Sequence, residues 1–163
     1  MASSHALADL QNAAVLWSIG SATVAEVVDA ACLCLVAGVD TPVLRILAGV
    51  SPTETEGELL RWLEPAFDEL GLVFYPKDSR AGQEAALRAM AHRALAAAAT
   101  PRELTRWAHS TIGHDALPLA EKLVRLDDVY GCLGYDDRTE AEVDAEVLAE
   151  ALRVIAPVGE AGS

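Results

Sequence analysis

The chain has 163 residues, enough for a helical core that removes roughly two-thirds of the unfolded surface from water, so neither a disulfide nor a metal is required for stability. It carries 25 acidic against 12 basic residues, a formal charge of −13, the wrong sign for a surface that settles on phosphates or an anionic leaflet. The hydrophobic fraction is 52% but the aromatic fraction only 5%, a balance dominated by alanine and branched aliphatics that suits closely packed helices.

Helix starts recur along the chain. Thr23 with Glu26, Ser51 with Glu54, Thr100 with Glu103 and Thr139 with Glu142 each have capping-box spacing, and Pro52 and Pro101 stand where a first helical residue needs no N–H. Gly20, Gly38, Gly49, Gly71, Gly113 and Gly134 follow apolar runs as left-handed C-terminal residues would. These signals predict helices over 4–18, 23–37, 42–48, 52–70, 80–98, 101–112, 117–132 and 139–156. The fold class is therefore all-α: one domain over 1–157, an irregular or orthogonal bundle of about seven or eight helices, with a frayed tail over 158–163.

Within this order, "AACLCLVA" (30–37) is apolar all round and marks the helix 23–37 as the central one. Pro65 conflicts with a continuous fourth helix, and a kink is expected there. "GLVFYPKD" (71–78) reads as a connector, with Phe74 and Tyr75 over the end of the preceding helix. The alanines of 81–99 imply close approach of a neighbour, within the domain or in a homo-oligomer. In the last helix Val143, Val147, Leu148, Leu152 and Ile155 form the apolar stripe, with Glu140, Asp144, Glu146 and Glu150 off it.

The segment "LAGVSPTETEGELLRWL" (47–63) resembles the helix-turn-helix of bacterial repressors in its "AGVS" turn. The resemblance implies a recognition helix after residue 51, yet that helix presents Glu54, Glu56 and Glu58 where base edges and phosphates should lie. Over 52–70 there are six acids (Glu54, Glu56, Glu58, Glu64, Asp68 and Glu69) and one base, Arg61. A turn and a cap are expected here, but no nucleic-acid reader. Trp62 stands off the stripe of Leu59, Leu63, Ala66, Phe67 and Leu70, while Trp17 and Trp107 read as core.

No nucleotide loop, nucleophile elbow or zinc signature occurs, and no cofactor is implied. The richest polar stretch is 107–137, with His109, His114, Asp115, Asp127, Asp128, Asp136 and Asp137 on two consecutive helices and their loops. Antiparallel packing would let imidazoles and carboxylates converge on a metal. Against that, His109 and His114 are five apart, which is no shared helix face, and Asp127 or Asp128 can pair with Lys122, Arg125 or Arg138 instead. Cys32, Cys34 and Cys132 make an odd count without framework spacing, and Cys32 and Cys34 point to different sides of one helix.

The leading expectation is a non-enzymatic acidic interaction protein: an adaptor, a regulator or an immunity-type neutralising partner. It meets a basic protein partner through Glu54, Glu56, Glu58, Arg61 and Trp62, with no nucleic acid and no membrane. The alternative is a small metal-dependent enzyme using His109, His114, Asp127 and Asp128. The first residues lack a basic leader, and Asp9, Glu26 and Asp29 interrupt the apolar stretches, so a cytoplasmic location is expected. Alanine richness with two lysines, Lys77 and Lys122, points to a high-GC bacterial coding sequence.

Overall fold

A computed structural model describes residues 1–135 and 137–157. The expected tail over 158–163 and Asp136 lie outside the described residues. The described chain forms eight helices and no strand: α1 (Ala2–Ser18), α2 (Val24–Val36), α3 (Pro42–Ala48), α4 (Glu56–Leu70), α5 (Arg80–Leu95), α6 (Pro101–Thr111), α7 (Glu121–Gly131) and α8 (Glu140–Ile155). None is long and apolar enough to cross a membrane.

Three of the four expected capping boxes are formed. The Thr23, Thr100 and Thr139 side chains accept from the amides of Glu26, Glu103 and Glu142, whose carboxylates accept the N-cap amides in return. The fourth is not. Ser51 bonds to Thr53 instead, residues 52–54 form a turn, and α4 starts at Glu56 rather than 52. Gly49 has φ −89°, so it ends α3 without the left-handed conformation expected of it, whereas Gly71 ends α4 with it at φ +69°. Helix α4 runs on through Pro65, so no new helix begins there.

The helices group into two units, Met1–Gly82 and Gln83–Ser163. In the first, α1 packs on α2, α2 on α3 and α3 on α4. Leu10, Val27, Ala31, Leu44, Leu47, Leu59, Leu63 and Phe67 form its core. Helix α2 belongs to this core but is not surrounded. Cys34 is buried, with its thiol donating to the carbonyl of Ala6 on α1, whereas Leu33 and Val36 are exposed, Val36 at 85%. Cys32 turns the other way, to the Ala48 carbonyl at 3.5 Å.

The connector 71–78 contains no strand, yet Val73 is held as a strand residue would be. The Gln11 amide accepts from its N–H at 2.9 Å and donates to its carbonyl at 2.6 Å. Phe74 packs on the core, and Lys77 joins this connector to two helices, pairing with Glu56 at 2.6 Å and standing 5.3 Å from the Trp17 ring centroid. Helix α3 has no side-chain cap from Thr41. Glu69 of α4 accepts the Val43 amide at 3.0 Å instead, and the buried Thr41 hydroxyl has no partner among the described residues.

In the second unit α6, α7 and α8 pack on one another. Leu104, Leu117, Leu123, Val124, Val143, Val147 and Val154 are buried. The face that α8 buries is Val143, Val147, Glu150, Ala151 and Val154, while Leu152 is 58% exposed. The stripe is rotated from the expected one, and it brings in a carboxylate. Glu150 is met there by the Arg153 guanidinium, with Nε at 2.8 Å, and by Lys122 Nζ at 3.8 Å. On α5, Ala86, Ala91 and Ala94 are buried within the chain's own packing.

Candidate functional site

Two places gather the residues singled out by the sequence, one in each unit. In the first unit, α3 ends at Ala48 and α4 begins at Glu56, and the seven intervening residues leave a groove of about 250 Å³. Ile46, Val50 and Trp62 give it an apolar lining, and Glu54 and Glu58 add carboxylates. The Arg61 guanidinium lies 5.1 Å from the Trp62 ring centroid, within the range of a cation–π contact. Of the five residues expected to meet a partner, Glu54, Glu58 and Trp62 line this groove and Arg61 stacks on the last of them. Glu56 is drawn off to Lys77.

In the second unit the histidines and aspartates converge. Helix α6 ends at Thr111, and the chain then turns through Gly113 at φ +84° and Asp115 at φ +58°. That double left-handed turn swings His114 back on α6, so its ring meets His109 edge to face at a centroid separation of 5.0 Å. The five-residue spacing argued against a shared face only for a continuous helix.

Helix α7 packs on α6 and supplies the carboxylates. Asp127 Oδ2 lies 2.8 Å from His109 Nδ1, and Asp128 Oδ2 lies 3.1 Å from His114 Nε2. The basic residues expected to take these aspartates are engaged elsewhere. Arg125 pairs with Glu121, Lys122 lies near Glu146 and Glu150, and Arg138 pairs with Glu146.

Two residues missed in the sequence complete the arrangement. Thr105, fully buried on α6, places its hydroxyl 3.3 Å from Asp127 Oδ1. Glu121, at the start of α7, faces His114 Nδ1 at 3.4 Å. The Asp115 backbone N–H, and then the Arg125 side chain, hold the Glu121 carboxyl below the usual carboxylate range. The signal for Glu121 lies in the turn it closes, since its oxygen accepts the Asp115 amide at 2.8 Å across six residues of irregular chain. Asp115 contributes that amide, and Asp137 is exposed.

His109, His114 and Asp128 each offer one ligand atom, and the three atoms lie within 4.8 Å of one another. Cys132 is exposed, and Cys32, Cys34 and Cys132 are all free thiols. No protein-family model, curated protein or solved structure matches this chain.

Proposed function

We propose that the protein is a non-enzymatic acidic adaptor or neutralising partner that binds a basic protein through the groove between α3 and α4. The observation that carries this reading is the groove itself, where Trp62, Ile46 and Val50 offer apolar surface beside the carboxylates of Glu54 and Glu58. Its chemistry suits an arginine or lysine side chain flanked by an aliphatic residue. The methylenes cover the apolar lining, and the cation meets carboxylates. A net charge of −13 steers such a partner in and repels nucleic acid. Three free thiols suit a reducing, cytoplasmic compartment.

The test compares capture of host proteins by the wild-type chain with capture by Glu58→Lys and Trp62→Ala. A basic protein that is retained by the wild type, is released as salt rises and is lost from both variants supports the reading. Equal retention by all three chains removes this contact face, and no partner at physiological salt removes the adaptor reading. A second reading, a small metal-dependent enzyme, is favoured by the convergence of His109, His114, Asp127 and Asp128. It requires metal-dependent turnover that disappears with His114→Gln.

A further inference from the structure

We infer that His109, His114 and Asp128 form a binding site for a divalent transition-metal ion of the zinc class. This concerns binding alone, at residues of the second unit, and stands or falls apart from the adaptor reading.

The donor set selects the ion. Two imidazoles and one carboxylate suit borderline cations such as Zn²⁺ and Co²⁺, whereas Mg²⁺ and Ca²⁺ favour oxygen ligands throughout. The spacing agrees. His114 Nε2 and Asp128 Oδ2 stand 3.1 Å apart, an ion-pair distance that is also near the separation of two ligand atoms on one ion. A tetrahedral site needs ligand atoms about 3.4 Å apart, so the widest separation of the three, at most 4.8 Å, closes by rotation of side chains that are 37%, 43% and 51% exposed. The same exposure gives the ion a way in and leaves room for water as a further ligand.

Each histidine also has the carboxylate partner that metal-bound histidines use. Asp127 lies 2.8 Å from His109 Nδ1, the nitrogen that also stands 3.9 Å from Asp128 Oδ1, and so orients that ring beside the proposed ion. Glu121 does the same for His114, whose Nε2 faces Asp128. The Asp115 amide and Arg125 in turn fix Glu121. Three carboxylates around two imidazoles, with one guanidinium among them, leave a negative field that attracts a dication. Finally, Asp115 is a non-glycine residue in the left-handed region, and the turn it helps to make is what brings His114 to His109.

The test uses the untagged full chain, stripped with a chelator, titrated with Zn²⁺ by calorimetry and with Co²⁺ by visible absorption. Expected are one ion per chain, Co²⁺ d–d bands, a higher melting temperature with Zn²⁺ and no comparable response to Mg²⁺. His114→Gln and Asp128→Asn weaken binding roughly tenfold or more and alter the Co²⁺ spectrum. Asp127→Asn weakens binding by roughly 10- to 100-fold and preserves the spectrum, since it acts on the ring and not on the ion. Cys132→Ser binds as the wild type does. The inference is overturned if the wild-type chain takes up neither ion, if the His114 and Asp128 variants bind as tightly as it does, or if thiolate-to-Co²⁺ absorption shows that cysteine holds the metal. In the first case the cluster is an ion-pair network between α6 and α7.

Discussion

The Tyr130 hydroxyl donates to the Asp144 carboxylate, a hydrogen bond that joins α7 to α8 at a buried ring. Burial, and then the Asp144 hydrogen bond and charge, raise the phenol well above its ordinary value, even with the Arg102 guanidinium 5.5 Å from the ring centroid. A raised folded-state value means that the native chain holds this proton when the unfolded chain has released it. The stabilisation is complete below about pH 10 and is lost as pH rises through the folded-state value. The wild-type melting temperature should therefore fall above about pH 10. Tyr130→Phe should cost about 1–2 kcal/mol at neutral pH and flatten the alkaline limb of that curve. Thermal melts from neutral to alkaline pH check both.

The capping box at the start of α6 gives an opposite pH signature. Glu103 accepts the Thr100 amide and is held below its ordinary range first by that backbone bond and then by the Thr100 side chain. A lowered folded-state value stabilises above about pH 4.3 and loses its effect as pH falls through the folded-state value. Glu103→Gln should make the acid limb of the melting curve shallower. Thr100→Ala and Thr139→Ala should each cost about 1 kcal/mol, whereas Ser51→Ala, at a box that does not form, should stay within about 0.5 kcal/mol. Urea titrations of the three variants decide it.

Glu150 is 2% exposed and faces the cations of Arg153 and Lys122. Removing both partners with Arg153→Ala and Lys122→Ala strands a buried carboxylate. That double variant should lose about 2–4 kcal/mol, while Glu150→Leu in the wild-type background should be close to neutral. If the double variant matches Glu150→Leu, the carboxylate is reaching water.

Thr41 carries a buried hydroxyl without a partner among the described residues. Replacing that hydroxyl with a methyl group removes a desolvated polar atom, and Thr41→Val should raise stability by up to about 1 kcal/mol in the same urea titration.

The helices were legible because their signals are local. Thr23, Thr100 and Thr139 need only a glutamate three residues on. Ser51 has the same spacing and fails, because its hydroxyl bonds to Thr53, a choice the spacing cannot reveal. The α8 stripe was misread by one helical step. Apolar residues at Val147, Leu148, Ala151, Leu152, Val154 and Ile155 suit two overlapping faces, and packing against α6 and α7 buries the one that contains Glu150. Convergence of His109 with His114 was discounted by helical periodicity, which stops applying where Gly113 and Asp115 turn left-handed. That region's residue types were visible in the sequence, but their meeting depends on a turn and on the packing of α7 against α6.

Both lysines of the chain are already committed: Lys77 to Glu56 and the Trp17 ring, Lys122 to Glu146 and Glu150. Amine acylation, whether by a cell's acetyltransferases or by a cross-linking reagent, therefore strikes no neutral bystander here. Modification at Lys77 releases the connector from α1 and α4, and modification at Lys122 takes a cation from a buried carboxylate. The exposed thiol of Cys132 is the group that can be tagged without breaking a helix cap or an ion pair.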